Sequence, residues 1–377
     1  MGVPKDDHEE EVLMLQTAPK RWLALTGAAM LVVAACTSGA SPSPSPAPTT
    51  AASTAPSGSA SAAPADPAAT RAAICDAAKA EGKLVYWSNF ANPDPIMAAF
   101  SAVYPGITIE PLSNHPDDFA QALLTELAAG RKPSADIMYG ELNVLAPIFD
   151  VKGSDESIDW QALGVADDII SKSGNVVRLY RVAGGIVYNT NKHKPEDLPA
   201  TWAGLLDQKY DSQIVVDPRG RPFDQLALIW GHDQAVEYAK QLQALKPIVI
   251  KGGTAGMLAV ASEQAAVTTG GRSAETLEQQ SKGAPLAIKY LDVITTLDTY
   301  NMVPKDAPHP NAAKCMVAWL ATDGQKIHDE SEFKSNSTIP TGAPADAQYA
   351  EVKDSADADK VKAVGEEIGV IFSGTGG

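Results

Sequence analysis

The chain has 377 residues, 45% of them hydrophobic and 20% charged, with 46 acidic against 30 basic side chains and a formal charge of −16. Such a composition supports a buried core, and its acidic balance excludes a nucleic-acid-binding protein, which needs a basic face to meet phosphates. Three cysteines are too few for a disulfide-dense scaffold or a thiolate zinc cluster.

In chain order, the first distinctive segment is Trp22 to Val33, twelve residues without a charge, preceded by Lys20 and Arg21. It is shorter than the roughly 20 apolar residues of a membrane span and has the basic-then-apolar order of a secretory signal. Val33-Ala34-Ala35-Cys36 resembles the lipobox of bacterial lipoproteins, with Val where Leu is usual. That resemblance implies a lipidated Cys36 as mature N-terminus, anchored to the cell membrane on its extracytoplasmic side. An ordinary signal peptide followed by an unrelated cysteine is the other reading. Residues 1–13 carry Asp6, Asp7, Glu9, Glu10 and Glu11 against Lys5, the wrong sign for the start of a signal. Met14 is therefore the expected start, and 1–35 the expected signal segment. From Thr37 the chain is almost all Ser, Pro, Ala, Thr and Gly, too poor in apolar side chains to offset its chain entropy. The Ser-Pro run from Ser41 favours extended conformers, so 36–70 reads as a semi-stiff tether.

From Arg71 the pattern alternates. Residues 71–80 read as a helix, 83–87 as a strand, and Ser88 to Pro93 as the loop after it. Ile96, Phe100 and Val103 mark a second helix, Ile107 to Ile109 a second strand, and Phe119, Leu123, Leu124 and Leu127 a helix closed by Gly130. Ala135 to Tyr139 is a third strand, followed by Gly140 and Glu141. Val177–Tyr180 and Gly185–Tyr188 are strand-like, and Gln213–Val216 runs into Asp217-Pro218-Arg219-Gly220-Arg221-Pro222. Helices follow on Phe223, Leu226, Ala227 and Trp230, then on Ala235, Tyr238, Ala239 and Leu242. Ile248–Ile250 and Ala265–Thr268 are strands, the second ending at Gly270-Gly271-Arg272, and a late helix spans Ala312 to Leu320. Alternation of this kind predicts an α/β fold with mainly parallel sheets, and the length suits two lobes.

Gly82-Lys83-Leu84-Val85-Tyr86-Trp87-Ser88, followed by Phe100-Ser101-Ala102-Val103-Tyr104-Pro105-Gly106-Ile107, resembles the opening of family 1 extracellular solute-binding proteins, the iron-binding-like receptors of ABC importers. Ser134 to Gly140, Tyr188-Asn189-Thr190-Asn191, Trp202 to Tyr210 and Ala307 to Lys314 resemble later segments of that family, in its order. The resemblance spans about residues 80–345. It implies a type II periplasmic-binding-protein fold with two crossover strands and a central cleft. Lobe one is expected at 71–184 plus 300–377 and lobe two at 185–299, with hinges at Val182–Ile186 and Leu297–Val303. It also implies a small-molecule ligand, a membrane permease with its separate ATPase, a monomer and no cofactor.

Ligands of open α/β sheets sit beyond the carboxyl ends of strands. That rule selects Ser88, Asn89 and Phe90; Tyr139, Gly140 and Glu141; Arg219 and Arg221; and Gly271 with Arg272. Arginines before helix-like runs suit an anion, through bidentate pairing and free helix amides. Against that, Arg219 and Arg221 have Asp217 and Asp224 to pair with, Arg272 reads equally as a solvated cap, and Tyr139 as core. Glu141 either holds a cationic group of a zwitterion or caps a helix. Ferric-binding members of the family use adjacent tyrosines; this chain has no Tyr-Tyr pair, which ranks iron below a small organic or phosphorus-containing anion. Cys75 and Cys315 are either a disulfide or two buried thiols. No HExxH, GxSxG or Walker A motif is present, which favours a binding protein over a lipid-anchored hydrolase.

Overall fold

A computed structural model describes residues 66–374 of the chain. Cys36, the expected signal segment and the tether as far as residue 65 lie outside the described residues.

The first part contains α1 (Pro67–Glu81), β1 (Lys83–Ser88), α2 (Pro93–Val103), β2 (Thr108–Ser113), α3 (Pro116–Ala128), β3 (Ile137–Gly140), α4 (Leu142–Asp150), the short β4 (Ile170–Ser171) and the long β5 (Val176–Asn189). Asp66 caps α1, its carboxylate accepting from the Ala68 amide, and Gly82 ends the helix in a left-handed turn. Next come β6 (Ile214–Val216), α5 (Phe223–Trp230), α6 (His232–Ala244), β7 (Ile248–Val249), α7 (Gly253–Ala261), β8 (Val267–Arg272), α8 (Ser273–Ser281) and β9 (Leu286–Lys289). The chain then returns through β10 (Val293–Met302) to α9 (Pro310–Leu320), α10 (Gln325–Glu332), β11 (Gln348–Glu351) and α11 (Ser355–Ser373).

The strand order is β2-β1-β3-β10-β5-β8-β6-β7. Strands β1, β2 and β3 are parallel, and β10 runs antiparallel to both β3 and β5. Strand β5 pairs with β10 as far as Ala183, then with β8 and β9 from Gly184 onward, so one continuous strand serves both sheets. The sequence reading gives two strands here, Val177–Tyr180 and Gly185–Tyr188, with Gly184 and Gly185 where the second begins. Those glycines are required by close strand approach and not by a turn: a Cβ on Gly184 would strike the Thr295 hydroxyl, and one on Gly185 the Lys289 carbonyl.

Each sheet has its own core. Phe100, Ile137, Leu179 and Trp319 pack in the first lobe, with Phe119, Leu123 and Tyr139 on the other face of its sheet. Trp202, Phe223, Leu226 and Tyr238 pack in the second. Several segments of the resemblance prove to be structural locks. The fully buried Asp136 carboxylate accepts from the amides of Val85 and His309 and from the His309 ring. Trp202 donates its indole proton to Val293, and Tyr238 its hydroxyl to the Trp202 carbonyl.

The C-terminal region differs from the expectation that assigns 300–377 to lobe one. Ala350, Val364, Ile368 and Phe372 belong to the second-lobe core, because β11 pairs with β10 and the apolar stripe of α11 lies on α5 and α6. Cys75 of α1 and Cys315 of α9 form a disulfide, with their Cα atoms 5.0 Å apart.

Candidate functional site

Loops at the carboxyl ends of β6 and β8 face the start of α4 across a cleft of about 1010 Å³. One wall carries His115, Asp117, Glu141 and Asn143; the other carries Asp217 to Gln225, Gly253, Thr254 and Thr269 to Arg272. Thr295 to Asp298 of β10 form the floor. The α5, α7 and α8 N-termini all lie on the second wall, so free backbone amides and positive helix ends converge there.

The three arginines have different partners. Arg219 donates to both carboxylate oxygens of Asp217, at 2.9 and 2.6 Å. Burial alone would raise the Asp217 pKa, but these bonds and the amides of Arg219 and Gly252 hold it below the usual range. Arg219 is thus a structural clasp, the alternative its sequence left open. Arg221 and Arg272 make no ion pair with any described residue. Desolvation by the cleft walls and the charge of Arg272 both pull the Arg221 pKa down.

Carboxylates complete the site. Asp224 is only 8% exposed, and burial pushes its pKa up to about 6 against the pull of Arg221 and Arg272. Its folded-state pKa is raised, so the folded chain takes up that proton first and stability falls as pH climbs from about 4 to about 6. Burial likewise raises the Glu141 pKa, with Asp117 adding to it. Glu275 and Thr296 belong to the same cleft, and each has a buried side-chain oxygen, Oε2 and Oγ1, without a hydrogen-bond partner among the described residues.

Helix α11 supplies a side of the cleft that the sequence reading missed. Lys362, Gly365, Glu366 and Gly369 line it. The helix lies backbone-to-backbone on the arginine loop: a Cβ on Gly220, whose φ is +80°, would come within 2.8 Å of the Gly365 carbonyl, and one on Gly369 within 2.7 Å of the Pro218 carbonyl. The available signal was the spacing of Val364, Ile368 and Phe372, one face of a helix.

Of the residues expected at the ligand, Glu141, Arg219, Arg221, Gly271 and Arg272 line the cleft. Ser88, Asn89, Phe90, Tyr139 and Gly140 do not. Ser88 is buried at the end of β1, and Asn89 is exposed outside the cleft. Phe90 packs edge-on against Tyr86 and His328, and Glu332 of α10 caps the amides of Ala91 and Asn92. Helix α10 therefore draws this loop into the lobe-one core. Tyr139 packs against Phe119 and donates its hydroxyl to the Asn114 carbonyl, and Leu145 crowds Gly140. No tyrosine is among the cleft residues; Tyr180 and Tyr188 are buried. No group of three His, Cys, Asp or Glu side chains placed to hold a metal occurs among the described residues.

Residues 87–327 match the family profile of bacterial extracellular solute-binding proteins. Iron-bound HitA from Pseudomonas aeruginosa superposes with a TM-score of 0.58 at 18% identity, over 76% of this chain and 99% of that one. PotD of the spermidine/putrescine ABC transporter from Streptococcus pneumoniae gives 0.59 at 14%, over 77% and 99%. AfuA from Actinobacillus pleuropneumoniae, with fructose-6-phosphate bound, gives 0.52 at 19%, over 75% and 97%. No curated protein matches the sequence.

Proposed function

The chain belongs to the family of bacterial extracellular solute-binding proteins, and from that membership we propose that it is the receptor of an ABC importer, tethered to the outer face of the cell membrane by lipid on Cys36. It works outside the cytoplasm and binds a solute without transforming it. The solute enters between the lobes, and contacts to both walls favour the closed form by the difference in affinity between the two states. The closed receptor docks as a monomer on a permease driven by a separate ATPase.

The solute is anionic or zwitterionic. The observation that carries this is the pair Arg221 and Arg272, without an ion pair among the described residues and at converging helix N-termini, with Glu141 and Asp117 on the opposite wall. Arginine forks and helix amides fix the anionic end, and the carboxylates of lobe one suit a cationic group.

Thermal-shift screening of carboxylates, phosphate compounds, amines and ferric ion identifies the ligand class. Arg221→Ala and Arg272→Ala are each expected to weaken an anionic ligand about 10- to 100-fold, about 1.4–3 kcal/mol, with the unfolding midpoint little changed. Unaltered affinity in both variants would refute the anionic reading. Cys36→Ala is expected to abolish incorporation of radiolabelled palmitate into the protein; unchanged labelling, or no label in the parent, would refute the lipid anchor.

A further inference from the structure

Within that reading of the cleft, Asp224 sits oddly. A site built for an anion holds a carboxylate among its arginines, on the same wall as Arg221 and Arg272. The side chain is 8% exposed. One oxygen, Oδ1, accepts from the Gln225 amide at 2.7 Å. No described cation lies within ion-pair distance of either oxygen, and Oδ2 faces Gly365 of α11. Thr296, a residue of the cleft floor that is 3% exposed, has a buried hydroxyl with no hydrogen-bond partner among the described residues. Asp224 is thus a buried acceptor that feels the charge of Arg221 and Arg272, two cleft arginines with no ion pair among the described residues.

A carboxylate held there repels an anion whose oxygens are all bare lone pairs. It accepts a hydrogen bond from an anion that still carries a proton. We propose that Asp224 makes the cleft selective for a tetrahedral oxyanion that keeps an ionisable proton, a phosphate or phosphonate in its protonated monoanionic form, over one that has none, such as sulfate. The arginines and helix ends supply attraction that both anions share. Asp224 supplies the discrimination, in the manner of a buried group left unpaired by the wrong ligand. Its raised pKa agrees with this placement, because the residue already costs the folded protein stability. Stability given up at one buried carboxylate is expected of a binding residue and not of a packing residue.

The test titrates the purified full chain with inorganic phosphate, methylphosphonate and sulfate at pH 7, followed by calorimetry. The protonated phosphorus anions are expected to bind at least about 100-fold more tightly than sulfate. Asp224→Asn, which keeps the shape and can donate to a bare oxygen, is expected to shrink that ratio below about tenfold, mainly by gain of sulfate affinity. Equal binding of sulfate and phosphate by the unsubstituted protein, or an unchanged ratio in Asp224→Asn, would overturn the proposal while leaving the anion-binding reading intact. If the unsubstituted protein binds none of the three probes, the proposal falls, and the anion-binding reading is then decided separately by the arginine variants against the ligand class found in the thermal-shift screen. The ratio in the unsubstituted chain decides the matter even where the variant folds poorly.

Discussion

Loss of the Cys75–Cys315 bridge should lower the unfolding free energy by about 4–5 kcal/mol and the melting temperature by about 10 °C or more. The bridge joins residues 240 positions apart, and in the loop-entropy account a longer closed loop removes more freedom from the unfolded chain. Native packing adds to the case. Helix α1 buries only Cys75 and Ala78, too little apolar surface to hold fifteen residues against the lobe. Its other fastenings are Arg71, which donates to the Leu163 carbonyl and to Asp323, and Glu81, which caps the start of α9. Helix α1 begins at Pro67, inside the segment 36–70 expected as tether, so residues 67–70 belong to the helix and the bridge fixes the point to which the rest of that segment is joined. Urea unfolding of Cys75→Ala/Cys315→Ala beside the parent checks this, and adding reductant should shift the parent toward the variant but leave the variant unmoved. A difference below about 1 kcal/mol would show that packing alone holds α1.

Much of the frame was legible before any coordinates. Alternating runs located β1, α2, α3, β3 and α9, because a strand or helix that buries one face imposes its own period on the sequence. Order along the chain then indicated two α/β lobes. What the sequence concealed was whatever depends on register or on close backbone contact. Gly184 and Gly185 mark only an interruption between two strand-like runs until Thr295 and Lys289 are placed beside them. Gly365 and Gly369 dilute the apolar stripe of α11, yet they let the helix lie on the arginine loop.

The cleft shows the same division. Strand ends and helix starts pointed to Glu141, Arg221, Gly271 and Arg272, which line it. The same rule pointed to Ser88, Asn89 and Phe90, a loop that a distant element fastens outside the cleft, with Ser88 and Phe90 buried and Asn89 exposed: Glu332 lies 240 residues from Asn92 and no local pattern connects them. Arg219 and Arg221, two residues apart, were indistinguishable in sequence. Their separation into a clasp and a free cation comes from the turn at Asp217, which brings its carboxylate to Arg219 and not to Arg221. Asp224 was noticed only as a partner for arginine; burial without an ion pair is a property of the folded chain alone.

Asp298→Ala is expected to destabilise the protein by about 3–5 kcal/mol. Asp298 of β10 stands directly opposite Arg181 of β5 in the antiparallel register. Arg181 donates to it through both Nε, at 2.6 Å, and Nη2, while Arg178 Nη1 lies 3.5 Å from the same carboxylate. All three side chains are nearly inaccessible to water. The arginines reach further: Arg178 donates to Asn336 and Thr338, Arg181 to the Thr338 carbonyl, and Arg181 also lies 3.4 Å from Glu351 of β11. One carboxylate on the cleft floor thus neutralises two guanidinium groups on the neighbouring crossover strand and steadies the segment leading to α11. Truncating it leaves both cations buried with Glu351 as their one carboxylate partner among the described residues, and the desolvation penalty is then only partly offset. Removing charge from both sides has a different outcome. Replacing a buried pair by apolar groups of similar volume is often close to neutral, so Asp298→Leu/Arg181→Met should recover a large part of the loss, with Arg178 still satisfied by Asn336 and Thr338. Denaturant midpoints of the single and double variants separate the two effects. A single variant within about 1 kcal/mol of the parent would mean that water reaches the crossover strands, and that this network does not brace the cleft floor.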